Sequence, residues 1–204
     1  MIRGRVVVLD YGSGNLRSAE RALARAGAEV TVTSDRAAAA EADGLVVPGV
    51  GAYASCMAGI TAVGAAPVIR KRVAAGRPVL GICVGMQVLF DHGDEHGVRT
   101  EGIGILEGGV ERLAARRIPH MGWNVVDAPG SSTLFRGLDD ARFYFVHSYA
   151  AKQPPPDAIG TWSEHDERFL AAVERGVVAG TQFHPEKSAD AGAQLLHNWL
   201  DTLR

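Results

Sequence analysis

The hydrophobic and polar positions of the first ninety residues follow two periods in turn. Apolar or alternating runs of strand length lie at residues 6–10, 28–33, 44–47 and 77–80. Helical spacing of apolar residues, or an alanine-rich turn, occurs at residues 16–26, 37–43, 53–60 and 66–75. In the last of these segments, Lys71 and Arg72 are expected to face solvent. Strands that alternate with helices predict a parallel sheet with helical connections.

The second half of the chain predicts shorter strands, turns and a closing helix. The strand patterns lie at residues 108–113, 123–126, 143–149, 159–162, 169–173 and 177–182. Residues 119–122 interrupt them, and the polar, glycine-punctuated residues 91–97 predict a loop. Residues 191–203 have the spacing of an amphipathic helix. We expect one α/β domain over residues 1–204, a flavodoxin-like open sheet that is mostly parallel and twisted. Helices should cover both faces, with additional short antiparallel strands in the C-terminal half.

Composition and charge limit the classes of partner that we expect the chain to bind. At 204 residues and 47% hydrophobic content, the chain can bury a full core. Its formal net charge of −2 supplies no basic field for nucleic acid or for an anionic membrane surface, so small molecules or another protein are the expected partners. The two cysteines, Cys56 and Cys83, form no disulfide framework, which favours the reducing cytoplasm. No signal peptide or membrane-spanning segment is predicted.

The segment GICVGMQ at residues 81–87 places Cys83 between a buried strand and a helix, which we expect to be amphipathic over residues 86–90. The flanking Gly81 and Gly85 permit a sharp turn that lifts the cysteine out of the sheet. The positive end of the following helix would favour the thiolate, which is the attacking form. The segment alone leaves a second interpretation open, because most free cysteines in such turns are small buried hydrophobes.

Two further segments can complete a nucleophilic site. The loop PGVG at residues 48–51 follows a predicted strand, where bare N–H groups could stabilise an oxyanion. Near the C-terminus, His184 and Glu186 flank Pro185, so in an extended backbone their side chains share one face. A thiol nucleophile needs such a base, oriented by a carboxylate. Each segment alone has a simpler interpretation: the loop as an ordinary turn, and the pair as the cap of a surface turn.

No metal or cofactor is expected. Residues 91–97 contain two histidines and three carboxylates, but their spacing matches no tetrahedral ligand set, and a solvated loop is the simpler interpretation. The turn YGSGN at residues 11–15 lacks the third glycine of a dinucleotide fingerprint. We therefore interpret it first as a tight turn and second as an anion-binding loop.

Together these segments resemble the class I (triad) glutamine amidotransferases, and they span nearly the whole chain. A narrower resemblance is to the glutaminase subunits of imidazole glycerol phosphate synthase. The segments that carry it are YGSGN at 11–15, PGVGA at 48–52, PHMGWN at 119–124, VHSY at 146–149 and QFHPEKS at 182–188. PHMGWN is the most discriminating. The chain departs from the family at Val84, where leucine is usual, and in its acidic loop, which is GDEH at residues 93–96.

The resemblance implies a reaction and the residues for it. Cys83 would attack the side-chain carboxamide of L-glutamine, and His184, held by Glu186, would shuttle the proton. Gly51 and the N–H of Val84 would stabilise the oxyanion. L-glutamate and ammonia would be released without a cofactor. The positions that match the glutamine pocket of the family are Gln87, Glu95, Ser148 and Tyr149.

The resemblance also implies a partner protein. In the family, ammonia passes to a cyclase subunit with a (β/α)8 barrel. The heterodimer makes imidazole glycerol phosphate and an aminoimidazole carboxamide ribonucleotide for histidine biosynthesis, combining hydrolase and lyase activities. The positions that match its partner-facing surface are Asn15, Trp123, Tyr144 and Lys187. The sequence alone favours a core position for Trp123, and polar packing is an equal interpretation for Ser148.

Three alternative functions stay open from the sequence. Glutaminase subunits for pyridoxal phosphate or anthranilate synthesis share the triad, but they lack the PHMGWN segment. A cysteine hydrolase of the peptidase type is a second alternative, and Gln87 and the spacing of His184 and Glu186 argue against it. A non-catalytic flavodoxin-like module is the third, and it would not require the three triad residues together.

Overall fold

The computed structural model describes residues 3–203, within which the chain forms thirteen strands and six α-helices. The helices are α1 (Leu16–Arg25), α2 (Arg36–Glu41), α3 (Tyr53–Ala62), α4 (Ala65–Ala74), α5 (Val84–Gln87) and α6 (Ala189–Leu200). The strands are β1 (Arg5–Leu9), β2 (Glu29–Thr33), β3 (Gly44–Gly49), β4 (Val79–Cys83), β5 (Phe90–Glu95), β6 (Val98–Glu101), β7 (Leu106–Arg112), β8 (His120–Val125), β9 (Arg142–His147), β10 (Tyr149–Ala151), β11 (Ile159–His165), β12 (Glu167–Arg175) and β13 (Val178–Thr181). A 3-10 turn occupies Pro185–Lys187.

The central sheet has seven strands in the order β11-β12-β13-β4-β3-β1-β2. The five strands from β13 to β2 run parallel, whereas β12 and β11 pair antiparallel at one edge. Strands β3 and β4 are buried along their whole length, as expected for central parallel strands covered on both faces. The carboxyl ends of β3, β4 and β13 meet at one edge of the sheet. The loop 48–51, Cys83 and His184 therefore meet at that edge.

Two smaller sheets accompany the central one. Strands β10, β7, β5 and β6 form a four-stranded sheet in that order, and β8 pairs antiparallel with β9. In the second pair, His120 lies opposite His147 and Trp123 lies opposite Tyr144. The four-stranded sheet and the β8–β9 pair both lie beside the carboxyl edge of the parallel sheet.

The helices pack through small apolar stripes. In α1, for example, Ala19 and Leu23 are buried and stand four residues apart. Helix α1 contacts α6, and α4 contacts α2 and α3. The predicted α/β class is confirmed, with a mostly parallel central sheet and additional antiparallel strands. Within residues 3–203, no helix has the length and apolar character needed to cross a membrane.

Three local predictions were wrong. The helix after Cys83 is not amphipathic over residues 86–90, because α5 has four residues, all buried, and β5 begins at Phe90. Residues 91–97 do not form a loop: most of them belong to β5, which pairs with both β6 and β7. Residues 120–122 lie inside β8 and do not interrupt it. In the latter two cases, cross-strand pairing outweighs the local polarity of the sequence.

The prediction that Arg72 faces solvent was also wrong. Its side chain is buried, and the guanidinium donates hydrogen bonds to carbonyl groups of Ala39, Ala40, Ala42, Asp43 and Pro78. Arg72 thus satisfies the open carbonyls at the end of α2 and ties that helix to the start of β4. Burial lowers the pKa of the guanidinium to about 10, and the side chain remains charged at neutral pH.

Candidate active site

Cys83 occupies a strained strand-to-helix turn, which we call the elbow (residues 81–85). Its backbone has φ 56° and ψ −117°, in the region that side chains rarely adopt. The turn requires glycine at positions 81 and 85, because main-chain atoms lie where a Cβ would be. A Cβ on Gly85 would approach the carbonyl oxygen of Val47 to 1.8 Å, and one on Gly81 would approach the Cα of Met86 to 2.6 Å. Close backbone packing therefore holds the cysteine in place.

His184 and Glu186 follow the last parallel strand and form a buried pair. Nδ1 of His184 lies 2.7 Å from Oε1 of Glu186, and the two side chains are 2% and 3% exposed. The two side chains meet, as their two-residue spacing predicted. They do not meet through an extended backbone, however. His184 itself is extended, whereas Glu186 belongs to the 3-10 turn that begins at Pro185. The turn, not a shared strand face, folds the carboxylate back onto the imidazole.

The charge state of His184 is set by opposing effects. Burial lowers the pKa of its imidazole, but contacts with the Cys83 thiol and with Glu186 overcome burial and raise the pKa to about 10. Nε2 of His184 makes no hydrogen bond of regular geometry with the described residues. We therefore treat the Cys83 contact as electrostatic. His184 is therefore held as an imidazolium at neutral pH, which is the electropositive neighbour that a catalytic cysteine requires.

A cavity of about 190 Å³ opens between the elbow and the β9–β10 segment. Its lining includes every predicted oxyanion and glutamine-binding residue together with Cys83 and His184. These lining residues are Gly51, Cys83, Val84, Gln87, Glu95, Ser148, Tyr149 and His184, joined by Val50, Val146, His147 and Lys187. Glu186 lies behind His184 and is absent from the lining. A small, partly polar cavity of this kind suits a compact amino-acid substrate.

The sequence analysis missed Gln182, although it stands two residues before His184 in the chain. Its buried side-chain Nε2 donates to Cys83 Sγ at 3.7 Å, and its Oε1 accepts from Gln87 Nε2 at 2.9 Å. Gln87 also donates to the carbonyl of Tyr149 at 2.9 Å. Both amide N–H groups of Gln87 are thereby used, which leaves its Oε1 to accept a hydrogen bond in the cavity.

Glu95 and Ser148 also line the cavity. Glu95 Oε2 accepts from the backbone N–H of Tyr53 at 2.9 Å, at the first residue of α3, so the carboxylate caps that helix. One wall of the cavity therefore carries a fixed negative charge, which matches the ammonium group of an amino acid. The backbone of Ser148 accepts from Leu113, and its side chain has no assigned hydrogen bond among the described residues.

The loop 48–51 lies beside the elbow: residues 48 and 49 end β3 and pair with β4, and Val50 and Gly51 line the cavity. The hydroxyl of Ser13 donates to the carbonyl of Val50 at 2.8 Å and accepts from the Val50 N–H at 3.1 Å. That N–H is therefore engaged by Ser13. Gly51 has φ 83° and open space around its Cα. Val84 begins α5, so its N–H belongs to the group that has no partner inside the helix.

Three of the four predicted partner-facing residues are neighbours on the surface. The rings of Trp123 and Tyr144 lie edge to face with centroids 6.1 Å apart, and Nζ of Lys187 lies 5.9 Å from the Tyr144 centroid. Trp123 is 47% exposed, so the core position favoured by the sequence was wrong. The alternation of β8 turns its side chain outward together with those of Met121 and Val125. Asn15 stands apart from this group, at the N-terminal end of α1.

Residues 3–203 contain no cluster of three histidine, cysteine or carboxylate side chains that could hold a metal ion. The acidic residues of 91–97 have other partners. Asp94 forms a two-point ion pair with Arg99 across the β5–β6 hairpin, at 2.7 Å and 2.9 Å. Cys56 is buried, and burial raises the pKa of its thiol.

Comparison with known protein families identifies the chain over nearly its whole length. The model of the family described as "Glutamine amidotransferase class-I" matches residues 7–203. The imidazole glycerol phosphate synthase subunit HisH of Nocardia farcinica is 63% identical, with all of both chains covered. HisH of Mycobacterium bovis is 65% identical over 97% of this chain and 98% of the relative. HisH of Thermobifida fusca is 60% identical over 98% and 99%.

Solved structures agree on the fold. A crystal structure of a glutamine amidotransferase superposes with a TM-score of 0.77 at 23% identity, covering 96% of this chain and 98% of the other. PurLQS from Thermotoga maritima gives 0.76 at 20% identity, with 98% and 99% covered. At these identities the likeness concerns the fold alone. From the family model and the sequence relatives, the chain belongs to the class-I glutamine amidotransferase family, within its branch of HisH subunits of imidazole glycerol phosphate synthase.

Proposed function

We propose that this chain hydrolyses L-glutamine to L-glutamate and ammonia through a glutamyl thioester on Cys83. The observation that carries the proposal is the meeting, in one cavity, of a cysteine on a strained turn and a histidine paired with a buried carboxylate. These parts come from sequence segments about one hundred residues apart. Their convergence at the carboxyl edge of one sheet is the arrangement that thiol acyl transfer requires.

The chemical steps start from the His184 imidazolium and the sulfur of Cys83 in the same cavity. The Cys83 thiolate attacks the carboxamide carbon, and the new oxyanion is stabilised by N–H groups from Val84 and from the loop at Gly51. The His184 imidazolium then gives its proton to the departing nitrogen, so ammonia leaves and a thioester remains. Neutral His184 next takes a proton from water as the water oxygen attacks the thioester. Glutamate departs, and the thiolate and imidazolium are restored.

The cavity supplies contacts for the amino-acid end of the substrate. We assign the ammonium group to the carboxylate of Glu95 and the free Oε1 of Gln87, which are acceptors on the cavity wall. The exposed Lys187 stands at the same cavity and supplies the positive charge that a carboxylate group prefers. Ser148 and Tyr149 close the remaining side. Glutamine thus has complementary charges for both of its terminal groups.

The ammonia has a destination in a second chain. Relatives that are at least 60% identical carry the name of a subunit of imidazole glycerol phosphate synthase. We assign this chain to a cytoplasmic heterodimer with the cyclase subunit, a (β/α)8 barrel, in histidine biosynthesis. We assign its contact surface to the exposed Trp123 and Lys187 and the half-buried Tyr144, together with the separate Asn15. The two unpaired cysteines support a reducing compartment.

The decisive assay measures glutamate release by the full chain with and without the cyclase subunit and its ribonucleotide ligand. We expect stimulation by the liganded cyclase, and a loss of at least about a thousandfold in Cys83→Ala, which removes the nucleophile. Cys56→Ala is the matched cysteine control and should retain activity. Glutamate release that survives in Cys83→Ala would contradict the chemistry. Activity that is indifferent to the cyclase would contradict the heterodimer alone.

A further inference from the structure

Two buried histidines beside the cavity have no part in the reaction described above. His120 on β8 and His147 on β9 are cross-strand partners, 5% and 6% exposed. Nδ1 of His120 lies 3.0 Å from Nε2 of His147, and His147 lines the cavity. A buried imidazole pair is costly unless each nitrogen finds a partner. The partners of these nitrogens therefore show what the pair does.

The hydrogen-bond partners assign every proton of the pair. Nδ1 of His147 lies 3.0 Å from the carbonyl oxygen of Tyr149, which only accepts, so Nδ1 carries a hydrogen. At the other end, the amide of Asn124 is oriented by its bonds to the Glu164 carbonyl and the Val125 N–H. Its second N–H therefore points to Nε2 of His120 at 3.3 Å.

Since Nε2 of His120 accepts, its hydrogen lies on Nδ1 and is donated to Nε2 of His147. Both rings are then neutral and carry hydrogen on Nδ1. The chain of donors runs in one direction, from Asn124 through the two imidazoles to the carbonyl of Tyr149. A second chain meets it there, because Gln87 donates to the same carbonyl and to Gln182, which donates to Cys83 Sγ.

The surroundings keep the pair neutral. His120 stacks on His165 at 4.3 Å and on Phe145 at 4.8 Å, and His147 packs against Phe169. Burial lowers the pKa of His120 to about 4 and that of His147 to about 3, with His165 adding repulsion to both and His184 to the latter. Among residues 3–203, no carboxylate side chain is hydrogen-bonded to either ring. The pair therefore keeps the same hydrogen-bond donors and acceptors at physiological pH.

We propose that His120 and His147 are positioning residues of the glutaminase site, which hold the Tyr149 carbonyl where it aligns Gln87 and Gln182 beneath Cys83. The inference rests on the proposed function, since the aligned amides serve glutamine binding there. It also explains a feature of β8. The strand turns Trp123 outward and turns His120 and Asn124 inward, so β8 contributes both to the exposed surface and to the hydrogen bonds behind the cavity.

The proton positions can be measured on the full chain without any variant. Long-range ¹H–¹⁵N NMR of histidine-labelled protein distinguishes the two neutral tautomers. We expect two histidines in the Nδ1–H form, unchanged between pH 6 and pH 8, and assigned to His120 and His147 by their loss in single variants. Hydrogen on Nε2 of either ring, or a cationic ring in this range, would overturn the proposal whatever the activity.

Matched variants separate positioning from bulk stability. Leucine at either position removes the hydrogen bonds, whereas asparagine places an amide at the Nδ1 position and keeps that donor. With the liganded cyclase present, we expect His120→Leu and His147→Leu to raise KM for glutamine about tenfold, as for one lost hydrogen bond, with kcat changed less than about threefold. His120→Asn and His147→Asn should recover most of that loss. A purely structural role would lower the amount of folded enzyme, and thus kcat, without moving KM.

His165→Leu is the control, because it removes the stacked ring but none of the hydrogen bonds that run from Asn124 to Tyr149. The KM of this variant for glutamine should change less than about twofold. Equal KM values for the leucine variants and the unmodified chain would overturn the proposal, as would asparagine variants no better than leucine. If the unmodified chain fails to hydrolyse glutamine, the proposed function fails. The NMR result still decides the hydrogen-bond chain.

Discussion

The two sides of the cavity are built by different means. The elbow at Cys83 is fixed by main chain packed against main chain, with no space for a Cβ at Gly81 or Gly85. Beyond the end of β3, Val50 of the neighbouring loop is held chiefly by side-chain groups: the Ser13 hydroxyl and a weak contact from the Cys56 thiol to the Val50 carbonyl. Around Gly51 there is open space.

The elbow is therefore positioned more precisely than the loop beside it. A nucleophile must be held to a fraction of an ångström, and packed backbone provides that tolerance. Hydroxyl hydrogen bonds are worth about 1 kcal/mol each, so the loop is held much less firmly. His184 belongs to neither class, because its position depends on charge pairing with Glu186. The elbow, the loop and His184 can therefore be perturbed separately, through backbone packing, backbone freedom and charge.

The largest effect is expected from a matched pair of glycine substitutions. Gly85→Ala forces a Cβ to within 1.8 Å of the Val47 carbonyl oxygen, and the chain should lose at least about 3 kcal/mol of unfolding free energy. Gly51→Ala meets no atom within 4 Å and bears only its positive φ, a cost of about 1 kcal/mol. Urea unfolding of the full chain measures both. Equal losses would show that the two sides of the cavity are packed alike.

A smaller, pH-dependent effect is expected from Glu186→Gln. The pKa of His184 is raised to about 10, above its ordinary 6.5, because contacts with Cys83 and Glu186 overcome burial. A raised pKa stabilises the fold fully below pH 6.5, and the stabilisation is lost as pH rises through about 10. The variant should therefore unfold about 2 kcal/mol more easily at pH 6. The gap should narrow towards pH 10.

Urea unfolding across that pH range tests the charge pairing. Glu111→Gln is a matched control, since Glu111 is exposed and lies 3.8 Å from Lys152, and its change should stay below about 0.5 kcal/mol at every pH. A Glu186→Gln gap that is constant with pH would mean that the carboxylate acts by packing alone, and that His184 is not held as an imidazolium.

Much of the fold was predictable, because parallel strands and connecting helices leave strong periodic patterns. The juxtaposition of Cys83, His184 and Glu186 was also predictable, because these residues lie in short motifs at or just after the carboxyl ends of strands. The predictions failed where partners distant in sequence decide the outcome. Arg72 looks like a surface cation, but it is buried because the carbonyls at the end of α2 surround its guanidinium. Residues 91–95 look like a loop, but pairing with β6 and β7 makes them a strand.

In the site, too, local sequence patterns did not predict how individual contacts are made. His184 and Glu186 were identified correctly as a pair, but their contact is made by a 3-10 turn that a two-residue spacing does not reveal. Gln182 was missed, since its contact with Cys83 spans the chain; its place two residues before His184 was the only available clue. The direction of the His120–His147 hydrogen bonds depends on Tyr149 and Asn124, which no local pattern connects.

Mass spectrometry of acid-quenched enzyme can detect the glutamyl group on Cys83. The full chain, mixed with glutamine and the liganded cyclase and then quenched, should show a glutamyl adduct that peptide mapping places on Cys83. Cys83→Ala should show none, while Cys56→Ala should show the adduct as before. An adduct on another residue, or rapid turnover by Cys83→Ala, would contradict the account.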